Sequence, residues 1–410
     1  MFYTLPRVPI GIGRRVFGRR GRKAGSDMRL VHTADIHLDA CFAGSGMPPG
    51  FGNRRRQSLR DVFHGIVKRA AEWPADALLI AGDLFDLDRV GRDTVAFLQA
   101  EFDAVRPLPV LIAPGNHDPY VSYSPYATAA WSSNVMIFKT PSWKTYTINA
   151  HNLMVHGFAF DGQDISVNPF GSLQVAPRRG WVQTGLAHGS EVSHQPSEKT
   201  AYAPFQAADT AANGLDYLAL GHFHSVTPIK GRFSTVMYYS GAPEGHSFNE
   251  TGMKHYIEVE IEGSDVRVTP VPSSRVVYQT YTLNCSRFTH AQQIVDAVRA
   301  IAAAAPEPLV ARVTLKGDCG PDLSIDPNAL EDSLGQEFEA LCIVDETEPA
   351  EDLLELERES TCLGVFIRKM NEEIADASDE QRRAFVKRAR ELGFAAYRQR
   401  DLPIPGLEED

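Results

Sequence analysis

Short apolar runs that end in potential metal ligands constrain the fold of this 410-residue chain more than any other feature. Helix-like stretches separate them; residues 58–71, between the first two runs, repeat their apolar side chains at helical spacing. Strands that alternate with helices predict an α/β layered fold. The apolar runs cover residues 30–34, 77–81, 110–113, 153–155, 185–187 and 217–220.

Five of these predicted strands are followed at once by side chains that can bind a metal ion. In an open α/β sheet the carboxyl ends of the strands meet at one edge, so these side chains are predicted to converge. Residues two apart on an extended segment project to the same side, and each Asp-x-His or His-x-His pair can therefore hold one ion. Each group alone is better explained as a turn or a satisfied polar side chain, but the ordered set predicts a dinuclear metal site. The predicted ligands are Asp35, His37, Asp83, Asn116, His188, His222 and His224.

The cysteines and the remaining histidines lack a comparable pattern. The five cysteines are scattered singly, which argues against a paired-cysteine zinc motif and against a disulfide framework. His32 and His156 fall within or beside apolar runs and are predicted to pack there. Six others are predicted to have no ligand role: His64, His151, His194, His246, His255 and His290.

Charge is distributed unevenly along the chain, whose net charge is −11. Residues 1–275 contain 27 Lys and Arg against 25 Asp and Glu, whereas residues 276–410 contain 14 against 27. The net charges are +2 and −13, so strong non-specific attraction to nucleic-acid phosphates is not expected of the chain alone. Because it lacks both a secretory signal and an apolar run of about 18 residues, the protein is predicted to be cytoplasmic, with no membrane partner.

Composition divides the chain into four segments. Residues 1–27 are rich in Arg and Gly and are predicted to be a disordered basic extension or a misassigned start; a nucleic-acid-binding arm and a transit peptide are the competing interpretations. Residues 28–272 contain every predicted ligand. Residues 273–345 are predicted to form a small α/β module, and residues 346–410 an acidic stretch followed by two helices, for which docking of a partner and packing on each other are the alternatives.

The motifs around the predicted ligands resemble those of the calcineurin-like metallophosphoesterase superfamily. They are Ala34-Asp35-Ile36-His37, Gly82-Asp83, Gly115-Asn116-His117-Asp118 and Gly221-His222-Phe223-His224. Within the superfamily, residues 28–272 are similar to the DNA-repair exonucleases of the SbcD and YhaO type, and more so to the YhaO type. This resemblance implies a four-layer α/β fold, a β-sandwich flanked by helices, followed by an α/β capping module and carboxy-terminal helices.

The resemblance also implies a role for each site residue. Asp83 would bridge two ions about 3.5–4 Å apart, and the hydroxide that they share would attack the phosphorus. His117 would be the general acid and Asp86 would orient it, with helix capping as the alternative role of Asp86. Such mixed ligands suit Mn²⁺, Fe²⁺ or Zn²⁺ better than Mg²⁺, and the resemblance favours Mn²⁺. One ion would bind Asp35, His37, Asp83 and His224; the other would bind Asp83, Asn116, His188 and His222.

DNA is the substrate that the resemblance implies. Arg54, Arg55 and Arg56 are predicted backbone contacts, with solvated surface as the alternative, and nearby tyrosines are predicted to stack on bases or to pack in the core or at the rim. Candidate partners are a coiled-coil SMC-like ATPase, similar to SbcC or YhaN, and a second copy of the chain, which would form a homodimer. The tyrosines are Tyr120, Tyr123 and Tyr126.

Two other functions remain open at this point. One is a phosphatase or small-molecule phosphodiesterase of the same superfamily, because metal chemistry alone does not select a substrate. A protein phosphatase would have Asp-Arg-Gly where this chain has Asp86-Leu87-Asp88. The other is a non-catalytic binding subunit of an SMC-like ATPase complex; absence of a ligand or of His117 would favour it, and all of them are present.

Overall fold

A computed structural model describes residues 28–42, 47–195, 200–210, 214–231, 234–320, 323–350 and 353–397. The predicted extension over residues 1–27 lies outside the described residues. The chain divides into two compact units. The first runs to Tyr281 and includes Arg299–Val313 and Leu330–Cys342; the second contains Thr282–Val298, Thr314–Ala329 and the residues from Ile343 onward. The four-segment division made from composition stays a prediction.

Strands and helices alternate through most of the described ranges. The strands are β1 (Met28–Thr33), β2 (Ala77–Ile80), β3 (Val110–Ile112), β4 (Val135–Ile137), β5 (Lys144–Ile148), β6 (Leu153–Gly157), β7 (Val182–His188), β8 (Tyr217–Gly221), β9 (Thr227–Ile229), β10 (Val236–Tyr239), β11 (His255–Glu262), β12 (Asp265–Pro272), β13 (Val277–Asn284), β14 (Leu309–Cys319) and β15 (Ala340–Pro349). The helices are α1 (Phe51–Glu72), α2 (Arg92–Ala104), α3 (Pro125–Thr128), α4 (Ala291–Ala304), α5 (Pro327–Leu334), α6 (Leu353–Arg358), α7 (Cys362–Ala375) and α8 (Glu380–Tyr397).

Two six-stranded sheets carry all of the predicted ligands. The first has the order β12-β11-β1-β2-β3-β4, in which β1 to β4 run parallel and β11 and β12 add an antiparallel edge. The second has the order β5-β6-β7-β8-β10-β9, with β6, β7, β8 and β10 parallel. The five ligand-bearing strands are therefore split between two sheets, three in the first and two in the second.

The two sheets pack face to face over an apolar core. Leu79 and Leu111 of the first sheet belong to the same buried cluster as Val155 and Leu186 of the second. Parallel strands that are covered on both faces need apolar side chains on both, which is why these strands are continuous apolar runs in the sequence. The arrangement confirms the predicted α/β sandwich.

The outer faces of the sandwich are covered in two different ways. α1 and α2 cover the first sheet, and α1 buries Leu59, Val62 and Phe63 there. It begins at Phe51, seven residues before the predicted start. The second sheet is covered by loops with two short 3₁₀ helices, Pro169–Ser172 and Ala207–Thr210, and by a cluster of Phe side chains.

The carboxy-terminal part adds a small sheet and several helices. β13, β14 and β15 form a sheet in that order. The two helices predicted after the acidic stretch correspond to α7 and α8 among the described residues, and α6 is a further short helix within the stretch itself. None of the described helices is both long and apolar enough to span a bilayer.

Candidate metal centre

The seven predicted ligands converge where strands of the two sheets end. Nε2 of His188, on the second sheet, lies 3.3 Å from Oδ2 of Asp83, on the first. Nε2 of His37 is 3.7 Å from the same Asp83 oxygen, and Nε2 of His224 is 3.9 Å from Oδ1 of Asp35. The remaining two complete the group: Asn116 Oδ1 lies 3.0 Å from His188 Nε2, and the ring centres of His222 and His188 are 5.3 Å apart.

Several of these residues have a backbone conformation that side chains rarely adopt. The φ angles are 53° at Asp35, 50° at His37, 52° at Asp83 and 116° at His222. A non-glycine residue held at such an angle costs about 1–3 kcal/mol, and such strain concentrates at functional sites. Four strained residues within one cluster therefore support a functional site at this point.

Close backbone approach explains two glycines of the ligand loops. A Cβ atom at Gly221 would lie 1.9 Å from the carbonyl oxygen of Ala81, and one at Gly115 would lie 2.3 Å from Oδ1 of Asp83. Any side chain at either position would push a ligand-bearing loop away. These glycines therefore allow the strand ends to approach one another.

Asp83 lies at the centre of the cluster. It is buried, and burial opposes ionisation, but the imidazoles of His188, His37 and His117 outweigh that effect and lower its pKa to about 2. Burial likewise opposes the charge on His37, yet the hydrogen bond to Asp86 and the nearby carboxylates raise its pKa to about 9. An anionic Asp83 between imidazoles is the arrangement that two cations could share.

Three of the imidazoles are held through Nδ1, so that Nε2 points into the cluster. Nδ1 of His37 is 2.7 Å from Oδ1 of Asp86, Nδ1 of His224 is 2.9 Å from Oε1 of Glu250, and Nδ1 of His188 is 2.9 Å from the carbonyl oxygen of Ala81. Such contacts orient metal-binding histidines in general.

Among the predicted ligands, one buried side-chain atom is left unsatisfied by the described residues. Nε2 of His37 is buried and has no hydrogen-bond partner among the described residues. A buried polar atom without a partner is rare and calls for an explanation, and a bound cation supplies one. The mixture of imidazole, carboxylate and amide fits Mn²⁺, Fe²⁺ or Zn²⁺. The residues present therefore fit a metal centre.

His117 sits at the rim of the cluster, where a substrate would arrive. Its side chain is 54% exposed, and its ring centre is 4.9 Å from that of His37. Its backbone N–H donates to Oδ1 of Asp83 at 2.9 Å. The loop that presents the imidazole is thus attached directly to the central carboxylate.

Asp86 contacts a different histidine from the one predicted. Its Oδ1 lies 3.6 Å from Nδ1 of His117, too far for a hydrogen bond, and 2.7 Å from Nδ1 of His37. The alternative prediction, helix capping, is also wrong, because Gly91 precedes the first turn of α2. Asp86 therefore positions His37, whose buried imidazole lies closer to the carboxylate than the exposed imidazole of His117 does.

Two residues of the Gly245–Glu250 loop, His246 and Glu250, were not predicted to belong to the site. Oε2 of Glu250 accepts hydrogen bonds from the backbone N–H of His246 at 3.0 Å and from its Nδ1 at 3.1 Å, while Oε1 faces His224. These three side chains form a compact group of potential ligands. The local signal for this group in the sequence is the four-residue spacing of His246 and Glu250. The contact of Glu250 with His224 spans 26 residues, so no local pattern marks it.

Asp118 holds the backbone of the two loops that carry Asp83 and Asn116. Its buried carboxylate accepts hydrogen bonds from the backbone N–H groups of Asp83, Leu84 and Gly115 and from the hydroxyl of Tyr126. Burial and the charge of Asp83 raise its pKa to about 6. Tyr126 is buried, which agrees with the core-packing alternative and rules out stacking on bases.

The predicted DNA contacts differ widely in accessibility. Arg55 is fully buried and forms an ion pair with Glu244 at 2.7 Å. DNA cannot reach its guanidinium group, so the prediction that Arg55 contacts DNA is wrong. Arg54 is accessible but pairs with Glu339 at 2.7 Å. Arg56 is partly exposed and lines a cavity. Tyr120 is partly buried, and Tyr123 is 73% exposed.

Comparisons with known proteins agree with this geometry. A family model described as calcineurin-like phosphoesterase matches residues 28–226. The uncharacterized metallophosphoesterase YhaO of Bacillus subtilis (strain 168) is 29% identical over 251 residues, covering 59% of each chain. The DNA double-strand break repair protein Mre11 of Aeropyrum pernix is 26% identical over 265 residues, covering 60% of this chain and 61% of that protein.

A solved structure and the lengths of the relatives complete the comparison. A dimetal phosphatase from Danio rerio aligns with 60% of this chain and 98% of its own, at 11% identity and a TM-score of 0.37. The matches to the two curated relatives span about three fifths of each relative's length, 59% and 61%.

Proposed function

We propose that this chain, which belongs to the calcineurin-like phosphoesterase family through residues 28–226, is a hydrolase that cleaves the phosphodiester bonds of DNA. The proposed activity is that of an exonuclease in DNA repair, in the cytoplasm, and it depends on two divalent cations, Mn²⁺ first among them. The observation that carries the proposal is the convergence of six ligand-type side chains around Asp83, with Nε2 of His37 left unsatisfied.

Two groups of residues would hold the cations. Two ions so placed would supply positive charge for the reacting phosphoryl group and activate water as the nucleophile. The chain's own part is to keep the imidazoles oriented and to position Asp83 between the groups. The first group is Asp35, His37, Asp83 and His224; the second is Asp83, Asn116, His188 and His222.

His117 is the proposed general acid. Its imidazole is exposed at the rim and is not needed to complete either ligand group, so it can hold a proton for the leaving oxygen. Asp86 contributes indirectly, because its carboxylate holds His37 in place. We assign Asp86 a positioning role rather than a direct one.

The choice of DNA as substrate is supported by similarity to a protein named for double-strand break repair. The rim at His117 also suits a polymer, since that imidazole is 54% exposed. A phosphatase or small-molecule phosphodiesterase would use the same metal centre, and for that reason the substrate must be tested directly.

A partner is part of this proposal. Residues 276–410 have a net charge of −13, so they cannot attract DNA by charge and are better suited to a protein surface. In the predicted docking helices, Leu363 and Ile367 are buried within their own unit, whereas Phe385 on α8 is 65% exposed. A coiled-coil SMC-like ATPase and a second copy of the chain are the proposed partners.

End-labelled DNA, single- and double-stranded, tests the function. We expect cleavage by the purified chain with Mn²⁺, release of end nucleotides if it is an exonuclease, and no cleavage with EDTA. Hydrolysis of bis-p-nitrophenyl phosphate, run in parallel, reports on the metal centre alone. A chain that hydrolyses the small ester but no form of DNA, with or without a partner ATPase, is a phosphodiesterase of another kind.

A further inference from the structure

A polar cavity of about 600 Å³ lies beside the loops that carry two of the site residues. Asp39, which lines it, follows His37 by two residues, and Arg89, which also lines it, follows Asp86 by three. Three residues of extended chain span at most about 11 Å. The cavity therefore lies within about three backbone phosphates of the metal centre along a bound strand, at about 3.4 Å of helix axis per charge on each strand.

The carboxylates of this cavity are already paired. Arg60 lies 2.5 Å from Asp93 and 3.5 Å from Asp39. Asp39 also accepts hydrogen bonds from the N–H of Gly91 at 3.1 Å and from the hydroxyl of Thr94 at 2.6 Å. Asp39 thus occupies the amino terminus of α2, and Arg60 offsets the negative charge.

Two guanidinium groups of the lining have no comparable partner. Arg56 donates to the neutral Asn53 Oδ1 at 2.5 Å, and no carboxylate pairs with it within the described ranges. For Arg89, the ion-pair partner is the neighbouring Asp88, whose side chain is 76% exposed and lies 3.9 Å away. Exposed pairs of this kind contribute little. Arg56 and Arg89 therefore remain available to an anion.

We propose that this cavity is a subsite for a backbone phosphate of the DNA strand, bound by Arg56 and Arg89. The planar guanidinium group matches the oxygens of a phosphate and can bind two of them at once. Arg60 offsets one of the two carboxylate charges of the wall, and with Arg56 and Arg89 the charged side chains of the lining sum to +1. The inference rests on the proposed function, because it names the part of that substrate which the cavity recognises.

The subsite accounts for a difficulty raised by composition. Residues 1–275 have a net charge of only +2, which is too little for binding by diffuse attraction. Two well-placed guanidinium groups beside the metal centre would instead hold the strand through a few specific contacts. The predicted run Arg54-Arg55-Arg56 contributes one of them, since Arg55 is buried and Arg54 is paired.

The salt dependence of DNA binding tests the subsite. The variants are Arg56→Ala, Arg89→Ala and the double variant, with Arg267→Ala as the matched control; Arg267 is 76% exposed and pairs with Glu260 on β11. Binding is measured in EDTA, so that no strand is hydrolysed. Each subsite variant should weaken binding alike for all sequences and reduce the slope of log K against log salt by about 0.9 for duplexes or about 0.7 for single strands. The double variant should weaken binding further but lose no more slope than about 0.9 for duplexes or about 0.7 for single strands, because the two groups share one phosphate, and the control should lose none.

Hydrolysis of bis-p-nitrophenyl phosphate with Mn²⁺ should stay within two-fold of wild type in every variant, roughly the scatter of surface substitutions. Arg56→Gln, which removes the charge but keeps polar donors, should behave like Arg56→Ala. If wild type cleaves DNA and the double variant keeps its full salt slope, the subsite is overturned while the proposed function stands. If wild type hydrolyses the ester but neither binds nor cleaves DNA, both are overturned. If Arg89→Ala lost ester hydrolysis, Arg89 would support the metal centre rather than bind a phosphate, and the subsite would also be overturned.

Discussion

The two halves of the candidate metal centre hold their imidazoles by different means. In the half with Asp35, carboxylates hold both histidines: Asp86 holds His37 and Glu250 holds His224. In the other half, His188 is held by a main-chain carbonyl oxygen. No side-chain hydrogen bond of the fourth histidine, His222, is present among the described residues.

This difference changes the basicity of the ligands. Burial lowers the pKa of a histidine, but at His224 the hydrogen bond to Glu250 and the charge of Asp35 outweigh burial, and its pKa is raised. At His222 burial dominates, helped by the neighbouring His188, and its pKa falls to about 3. Because a carboxylate partner raises ligand basicity and fixes the ring, we expect the half with Asp35 to bind its cation more tightly.

The largest effect is expected at the residue that the two halves share. Asp83→Ala removes the carboxylate that lies near His188 and His37, so both cations should bind weakly and cleavage of DNA should be lost. Calorimetric titration with Mn²⁺ measures this. Asp88→Ala, an exposed position in the same loop, is the control and should bind like wild type. If Asp83→Ala lost only one of the two cations, the shared role would be wrong.

His117 should separate catalysis from metal binding. His117→Ala should retain both cations in the same calorimetric titration, yet cleave DNA about 10²–10⁴-fold more slowly if its contribution is general-acid catalysis. His64→Ala, an exposed histidine paired with Glu101, is the control and should turn over normally. Wild-type turnover by the metal-loaded His117 variant would remove the assignment.

Glu250 is the sharpest test of the difference between the halves. Glu250→Gln keeps the shape of the side chain but weakens the hold on His224, so the tighter cation should bind about 10–100-fold more weakly and the other should change little. The measurement is a two-site Mn²⁺ titration, independent of turnover.

Glu260→Gln supplies the matched control for this titration, because Glu260 is an exposed carboxylate on β11 paired with Arg267. It should leave both affinities unchanged. An equal loss at both cations in Glu250→Gln would mean that the carboxylate contact does not distinguish the halves.

Much of this centre was predictable because its ligands follow apolar runs directly. An α/β layered fold follows from the same local pattern, since buried parallel strands must be apolar and ligands bind at their carboxyl ends, whereas the sandwich was implied by the resemblance of the motifs. The split of the ligand strands between two sheets was not predictable from the runs, because pairing depends on contacts far apart in sequence. Asp83 and His188, for example, meet across 105 positions.

The supporting residues were harder to identify from the sequence than the ligands. Glu250 supports His224 across 26 residues, and no local spacing marks such a pair. Asp86 was assigned to His117 through the resemblance, whereas packing gives it to His37. Arg55 lies in an arginine run that was predicted to contact DNA, but its side chain is buried and pairs with Glu244. Burial and long-range pairing decide these roles, and neither is visible in a linear pattern.

The smallest effect on the difference between the halves is expected at Asp118, which supports both. Asp118→Asn places an amide group where the carboxylate accepts from Leu84 N–H and from the hydroxyl of Tyr126, so one buried donor is left unsatisfied. The free energy of unfolding should fall by about 1–3 kcal/mol, whereas Tyr126→Phe, which removes a single hydrogen bond, should cost about 0.5–1.5 kcal/mol. Urea unfolding followed by Trp fluorescence measures both, since Trp131 lies 6.4 Å from the ring of Tyr126. In Mn²⁺ titrations the two affinities should shift together, because Asp118 holds the backbone of Asp83, which the halves share. A selective loss of one cation in Asp118→Asn would show that this support belongs to one half alone.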